Sequence, residues 1–201
     1  MNFIVKAGFI AAVGLISACS SHSSFESQGS METSFQQGKV SKTGQAQMGE
    51  GKSIQVSRTT EAANDVLINA MGLVGTPYRW GGDNEREGFD CSGLIRHVFS
   101  ETLDINLPRR SADMSVMQGK VVAKDKLKTG DLLFFSTAGK RGGVNHAGIY
   151  VGGGRFVHAP RKGRNVSVSS LDSAYWQKTF TVAKRVITPK ALELARADIQ
   201  H

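Results

Sequence analysis

The change in hydrophobic spacing near Gly130 is the feature that most restricts what this chain can fold into. Before Gly130, apolar residues recur at intervals of three and four, which places them on one face of an α-helix. After Gly130, short apolar runs alternate with glycine-rich and polar turns, which is the pattern of β-strands. Helices followed by antiparallel strands predict one α+β domain over residues 59–188, with N-terminal helices packed on an antiparallel β-sheet.

The first predicted helix begins at Thr59 or Thr60, either of which can cap it, and ends at Gly75 and Pro77. Its apolar residues are spaced so that they form one stripe facing a core. The stripe comprises Ala63, Val66, Leu67, Ala70, Met71 and Val74.

Asp90 is a suitable N-cap for a second helix. The apolar positions of that helix are Leu94, Ile95, Val98 and Phe99. Gly93 in its first turn carries a penalty in helix propensity, which indicates either a packing reason or an access reason for glycine there. A shorter helix is predicted over residues 111–118.

Five strands are predicted after Gly130, at residues 131–135, 147–151, 155–159, 166–169 and 181–187. Three glycines, Gly152 to Gly154, join two of them as a hairpin. Residues 189–201 form a C-terminal tail, for which a helix and a frayed end both remain open.

The N-terminal region reads as a targeting segment followed by a tether. Residues 1–18 have the layout of a secretory signal, and residues 16–19 resemble a bacterial lipobox that ends in Cys19. Lipid attached to Cys19 would anchor the chain to a membrane. An ordinary signal peptide with a chance cysteine is the alternative. Residues 19–58 are rich in Ser, Gln, Gly and Lys without a sustained period, which predicts a flexible tether.

The net charge of +8 favours anionic surfaces such as membrane headgroups and cell-wall polymers. No zinc-ligand spacing, RNP-like strand or recognition helix is recognisable, so we predict no nucleic-acid partner, no metal site and no cofactor.

Cys91 is the candidate nucleophile, because Cys19 is the other of the two cysteines and is assigned to lipid attachment. A position just after a helix N-cap favours a thiolate, although the charge of Asp90 opposes ionisation. A redox role is weaker, because no resolving cysteine remains.

The base has to come from another part of the chain. His22 lies in the tether, His201 is the last residue, and His97 lies about 240° around the helix from Cys91. His146 and His158, which flank the glycine hairpin, are therefore the candidates. Two histidines at the rim of a sheet with no catalytic task are the alternative interpretation.

The loop of the hairpin decides whether these two histidines can meet. With the three glycines as the loop, Val151 pairs with Arg155, and His158 is the diagonal neighbour of His146 on one face, roughly 7–8 Å away. A two-residue loop would place the histidines on opposite faces. A catalytic pair therefore requires an odd loop or a bulge that restores the parity. In that arrangement His146 takes the proton of Cys91, and His158 orients His146.

Six segments occur in an order that is similar to the NlpC-type cell-wall cysteine peptidases. They are the segments at residues 76–82 (TPYRWGG), 89–94 (FDCSGL), 107–109 (LPR), 130–135 (GDLLFF), 145–150 (NHAGIY) and 156–159 (FVHA). The resemblance covers nearly all of the predicted domain and implies a pared-down papain-like fold. The chain also resembles the lipoprotein members of that family in Gram-negative envelopes.

The resemblance implies Cys91 as nucleophile, His146 as base and His158 as the third polar residue. It further implies that the hydroxyl of Tyr78 joins the Cys91 backbone N–H in holding an oxyanion. Ser92 is implied to bind the substrate amine, and Asp90 to line the same subsite while it caps the helix. For Trp80 we expect aromatic packing beside a turn.

The function expected from these residues is a lipid-anchored hydrolase of peptidoglycan stem peptides, in an outer membrane and facing the periplasm. The bond is either the one between D-glutamate and diaminopimelate or a peptide cross-link, and the sequence does not choose between them. A noncatalytic wall-binding lipoprotein and an acyltransferase on the same fold are the alternatives.

Overall fold

The structure is a computed structural model that describes residues 50–139 and 142–198. The predicted signal segment, Cys19 and the tether up to residue 49 lie outside the described residues, as do residues 199–201. No helix within the described ranges is both long and apolar enough to cross a bilayer.

Five α-helices lie within the described ranges: α1 Glu50–Gly72, α2 Cys91–Leu103, α3 Ser111–Val116, α4 Ala174–Thr179 and α5 Pro189–Asp198. The described strands are β1 Asp83–Asn84, β2 Gly88–Phe89, β3 Lys120–Val122, β4 Leu132–Phe135, β5 His146–Gly152, β6 Arg155–His158, β7 Ser167–Ser170 and β8 Phe180–Arg185. The last residues of the predicted tail that are described, Pro189–Asp198, are therefore helical.

One six-stranded sheet organises the domain. Its strand order is β3-β8-β4-β5-β6-β7, and each neighbouring pair is antiparallel. The predicted α+β class is confirmed, with the N-terminal helices before the strands of the sheet. All five predicted strands are present within a few residues of their expected bounds, whereas β3, the β1–β2 hairpin and α4 were not predicted.

Each face of the sheet carries its own apolar layer. The face covered by α1 and α2 buries Leu132, Phe134, Ala147, Ile149 and Val157 against the helices. The opposite face buries Phe135, Phe156 and Leu171, with Trp176 of α4 packed against them. Because side chains alternate between the two faces of a strand, neighbours such as His146 and Ala147 enter different layers.

The predicted start of the first helix is wrong. Helix α1 begins at Glu50, so residues 50–58, which the sequence assigned to the tether, are helical. Thr59 and Thr60 lie inside the helix, where each hydroxyl donates to the carbonyl of Val56 at 3.1 and 2.8 Å. A hydroxyl that bonds to the preceding turn continues a helix instead of capping it.

The buried stripe of α1 is also rotated from the prediction. Ala62, Val66, Ala70 and Leu73 are buried, whereas Met71 and Val74 are exposed. The predicted stripe spanned too wide an arc of apolar residues, and the packing of α1 against α2 selects one edge of it.

Helix α2 follows the prediction closely. Asp90 is its N-cap, with φ −89° and ψ 175°, and its carboxylate accepts a hydrogen bond from the Gly93 backbone. The four predicted apolar positions, Leu94, Ile95, Val98 and Phe99, are fully buried. His97, which the sequence placed away from Cys91, packs its ring on Phe89 at 5.0 Å between ring centroids.

Candidate active site

Cys91 is the first residue of α2, where the backbone N–H groups of the first turn have no partner within the helix. Asp90 satisfies one of them, since its Oδ1 accepts from Gly93 N at 2.7 Å. Cys91 is a free thiol and is partly exposed. The helix start therefore holds the sulfur at the end of a fixed backbone, close to the backbone N–H groups of the first turn.

Three glycines allow the segment before α2 to pack directly on the helix. A Cβ on Gly93 would lie 2.0 Å from the Gly82 carbonyl oxygen, and one on Gly82 would lie 2.2 Å from the Gly88 carbonyl oxygen. A Cβ on Gly88 would meet the Pro77 carbonyl oxygen at 2.4 Å, and its φ of +104° also favours glycine. The packing reason expected for Gly93 is therefore confirmed, and it extends to Gly82 and Gly88.

Arg109 ties Asp90 to Ser92 beside the thiol. Its Nη1 donates to Asp90 Oδ1 at 3.0 Å and to Ser92 Oγ at 2.9 Å, and its Nη2 donates to Asp90 Oδ2 at 2.7 Å. These hydrogen bonds hold the pKa of Asp90 below its usual value despite burial. The two side chains assigned to the substrate amine thus already bind a guanidinium, and their role toward substrate stays a prediction.

Tyr78 is held next to the thiol by its own backbone. Its N–H donates to the Arg164 carbonyl at 3.0 Å, and it bridges to Phe89, two residues before Cys91. Burial and the nearby Cys91 and Asp90 raise the pKa of Tyr78. The phenol therefore keeps its proton at neutral pH and is available as a hydrogen-bond donor.

Trp80, two residues on, is 87% exposed, so the aromatic packing expected for it is wrong. Its neighbours are held in place, because Arg79 N–H donates to the Phe89 carbonyl and Gly81 N–H donates to Asp90 Oδ2. The turn is fixed by its backbone, and the indole takes no part in that packing.

A β-bulge brings the two histidines to one face. Tyr150 pairs with Phe156, but Gly152 pairs with Arg155, so Val151 is the extra residue and does not face Arg155 as predicted. The turn itself then has two residues, Gly153 and Gly154, with φ of 58° and 68°. The bulge restores the parity that a two-residue turn would have broken.

His146 and His158 are in direct contact. His146 Nε2 lies 2.8 Å from His158 Nδ1, and the side chains are only 6% and 2% exposed. His158 Nε2 in turn lies 2.9 Å from Ser169 Oγ on β7. The three side chains form a hydrogen-bonded row across three adjacent strands.

Trp176 covers this row from α4. Its indole stacks on His146 at 5.5 Å between centroids and 23° between planes, and it meets His158 edge-on at 5.1 Å. Phe135 and Phe156 complete the surroundings. Burial lowers the pKa of His146 to about 4 and, together with the neighbouring imidazole, that of His158 to about 3. Both imidazoles are therefore neutral at pH 7.

The thiol lies beside the start of the strand that carries His146. Burial and the charge of Asp90 raise the pKa of Cys91, and hydrogen bonding from the backbone N–H groups of Ala147, Ser92 and Cys91 partly offsets the rise. The structure thus brings Tyr78, Cys91, His146 and His158 into one region, as the sequence predicted, with the resting thiol and imidazole both uncharged.

Three residues that contribute to the candidate site were not predicted from the sequence. Arg109 lies in a recognised segment but received no role, and its partner Asp90 is nineteen positions away. Ser169 and Trp176 carry no motif, and only the register of β6 with β7 and the position of α4 reveal them. Within the described part of the chain, no three His, Cys, Asp or Glu side chains cluster to hold a metal ion.

The chain belongs to the NlpC/P60 family, whose model matches residues 75–185. That range contains Tyr78, Cys91, His146 and His158.

Relatives in the family are similar over most of the chain. The murein DD-endopeptidase MepH of Escherichia coli is 38% identical over 155 residues, which cover 77% of this chain and 56% of MepH. The protein named murein DD-endopeptidase MepS/murein LD-carboxypeptidase, from the same organism, is 33% identical over 89% of this chain and 90% of its own length. The peptidoglycan hydrolase RipB of Mycobacterium tuberculosis has a similar structure, with a TM-score of 0.55 at 30% identity over 66% of this chain and 67% of RipB. The chain spans only about half of MepH, so activities of such relatives do not transfer to it directly.

Proposed function

We propose that this protein is a lipid-anchored murein hydrolase, a cysteine endopeptidase that cleaves an amide bond in the stem peptides of peptidoglycan. The observation that carries the proposal is the contact between His146 and His158, together with the position of the Cys91 thiol. That thiol lies beside the backbone N–H of Ala147, the residue that follows His146. A thiol with a neutral imidazole base nearby is one of the arrangements by which enzymes attack an amide.

The reaction begins with a neutral pair. As the sulfur of Cys91 attacks the scissile carbonyl carbon, its proton moves to His146 Nδ1, the ring nitrogen that the contact with His158 leaves available. The C–S bond forms as the carbonyl π-bond opens. His146 then returns the proton to the leaving amine, the C–N bond breaks, and an acyl-enzyme remains.

Water completes the cycle. His146 removes a proton from a water molecule that attacks the thioester, and the thiol leaves with that proton. Because burial keeps His146 neutral, the imidazole is available as a base in this step as well as in the first.

Two donors can hold the developing oxyanion. The backbone N–H of Cys91 lies in the first turn of α2, and the Tyr78 hydroxyl keeps its proton because its pKa is raised. Loss of one such donor typically costs about 2.7–4 kcal/mol of transition-state stabilisation.

The bond that we assign is the peptide cross-link between stem peptides. MepH and MepS both carry the name DD-endopeptidase, and MepS is similar over 90% of its own length. The pairing of Arg109 with Asp90 and Ser92 also favours this assignment, because a carboxylate neutralised by a guanidinium is a weak site for a free substrate amine.

The anchor belongs to the same proposal. Lipid on Cys19 would hold the protein on the outer membrane, facing the periplasm, and residues 20–49 would link the domain to that anchor. Incorporation of radiolabelled palmitate into the full chain, and its loss in Cys19→Ala, tests the attachment. Absence of label from the unaltered chain contradicts it.

The experiment that tests the activity is mass analysis of muropeptides from purified peptidoglycan incubated with the full chain in detergent. Cross-linked dimers are expected to fall and monomers to rise. The variant Cys91→Ala should lose the activity by at least a thousandfold. The variant Cys19→Ala, which removes the other cysteine, should keep it.

Two outcomes contradict parts of this proposal separately. Cleavage between D-glutamate and diaminopimelate in place of the cross-link would overturn the bond but keep the enzyme class. Equal release of products by the unaltered chain and Cys91→Ala would overturn catalysis by the thiol.

A further inference from the structure

Ser169 ends the row of hydrogen bonds that begins at His146. It lies on β7, where the register pairs His158 with Ser167 and Phe156 with Ser169. Ser169 is therefore the diagonal neighbour of His158 on the same face, just as His158 is the diagonal neighbour of His146. The distances along the row are 2.8 Å and 2.9 Å, both within hydrogen-bond range.

The proposed chemistry fixes the direction of these hydrogen bonds. His146 can accept the Cys91 proton at Nδ1 only if its Nε2 carries a hydrogen, which it then donates to His158 Nδ1. His158 must in that case carry its own hydrogen on Nε2, which faces Ser169 Oγ. The hydroxyl oxygen of Ser169 is the acceptor at the end of the row.

We propose that Ser169 is a positioning residue of the hydrolase, which acts through His158 to hold His146 in the tautomer that can accept the thiol proton. This inference rests on the proposed function of the site. Ser169 touches neither the substrate nor the sulfur, so its effect on the reaction passes through the two imidazoles.

The surroundings explain why the last acceptor matters. The third member of the site is a neutral imidazole in place of a carboxylate, and the indole of Trp176 covers both histidines. When His146 takes the proton, its positive charge forms in an apolar pocket. The row of hydrogen bonds spreads that charge from His146 through His158 to the hydroxyl of Ser169, which lies on the edge strand of the sheet and is partly exposed.

The proton count of this step is complete. The S–H bond of Cys91 breaks and an N–H bond forms at His146 Nδ1, while the hydrogens on His146 Nε2 and His158 Nε2 stay on their nitrogens. No tautomer changes during the step, and no further reactant is needed.

The matched control is Ser167, a serine on the same strand and the same face, directly opposite His158 in the register. Its hydroxyl is not the one that lies at 2.9 Å from the His158 ring. We expect Ser169→Ala to lower kcat about tenfold with KM nearly unchanged, and Ser167→Ala to change neither. Ser169→Thr, which keeps a hydroxyl, should restore most of kcat.

A double-variant comparison separates positioning from general disruption. In a His158→Ala background, adding Ser169→Ala should cause no further loss of kcat, because the two residues act as one unit. A further tenfold loss in that background, or equal kcat for Ser169→Ala and Ser167→Ala, would overturn the proposal.

Two readouts do not depend on peptidoglycan and so keep this proposal distinct from the proposed function. In ¹⁵N NMR of the labelled full chain, His158 should be the Nε2–H tautomer and should become a tautomer mixture in Ser169→Ala. Alkylation of Cys91 by iodoacetamide, measured with Cys19→Ser to leave one thiol, should slow about fivefold in Ser169→Ala. A His158 that carries its hydrogen on Nδ1 in the unaltered chain would overturn the assignment even if hydrolysis is observed.

Discussion

The two halves of the candidate site are held by different forces. The half with Tyr78, Asp90 and Cys91 rests on hydrogen bonds and on backbone that packs against backbone, through glycines that leave no room for a Cβ. The half with His146 and His158 rests on aromatic side chains, chiefly Trp176, which exclude water from two neutral rings. The first half is a polar frame that fixes the position of the Cys91 sulfur. The second half is an aromatic cover that keeps the imidazole of His146 neutral.

The largest expected effect concerns the polar frame. Gly93→Ala places a Cβ 2.0 Å from the Gly82 carbonyl oxygen, and a backbone atom cannot move aside cheaply. We expect a loss of about 4 kcal/mol in the free energy of unfolding, measured by urea denaturation. Gly72→Ala at the end of α1, where nothing lies within 4 Å, is the control and should change it by less than about 1 kcal/mol. Equal effects of the two substitutions would contradict the close packing.

The next effect concerns the aromatic cover. Trp176→Ala should lower the free energy of unfolding by about 3 kcal/mol, because it removes a large side chain that packs on five rings. Water that enters should raise the pKa values of His146 and His158 toward 6.5, measured by NMR titration of the ring C–H signals. Trp80→Ala, at an indole that is 87% exposed, is the control. Unchanged histidine pKa values in Trp176→Ala would show that the indole is not what keeps the rings neutral.

Asp90→Asn should separate stability from thiol reactivity. Asn can still cap α2, but the charged hydrogen bonds to Arg109 are lost, so we expect the free energy of unfolding to fall by about 1–2 kcal/mol. Removing the negative charge should at the same time lower the pKa of Cys91, measured from the pH dependence of its alkylation. Asp125→Asn, at an exposed carboxylate near Lys126, should change neither quantity. A thiol pKa that rises in Asp90→Asn would contradict the electrostatic argument.

The last prediction is a pH dependence that arises in the histidine half. The pKa values of His146 and His158 are about 4 and about 3 in the folded chain, against 6.5 for an ordinary histidine. The unfolded chain therefore binds more protons as the pH falls below 6.5, so the free energy of unfolding falls in that window and is insensitive to these rings above it. The slope is at most about 1.4 kcal/mol per pH unit for each ring.

The variant His158→Asn isolates that dependence. It removes one of the two rings, so the loss of stability between pH 6.5 and pH 5 should be roughly halved, as measured by urea denaturation at each pH. A variant whose stability falls as steeply as that of the unaltered chain would show that the dependence arises elsewhere.

The difference between the two halves of the site also explains which features could be predicted from the sequence. The cap at Asp90, the packing role of Gly93 and the diagonal pairing of the histidines follow from local rules of helix starts and strand register, and all three are confirmed. Trp176 could not be predicted, because it reaches the histidines from a short helix that no local signal connects to β5. Long-range contacts of an apolar side chain depend on how elements pack, which spacing along the chain does not encode.

The predicted start of α1 was wrong for a related reason. A threonine that can cap a helix can equally well lie inside one and donate to the turn before it, as Thr60 does. The prediction for Trp80 was also wrong, because this aromatic residue beside a turn was expected to pack and is instead exposed.

The extra residue at Val151 has a consequence for how this domain can vary. An insertion or deletion of one residue between Tyr150 and Phe156 that abolished the bulge would turn His158 toward the helices and leave His146 without its imidazole partner. Changes of two residues would preserve the meeting of the rings. The length of this surface turn is thus subject to the same selection as the reactive side chains. Natural variants should therefore differ there by an even number of residues.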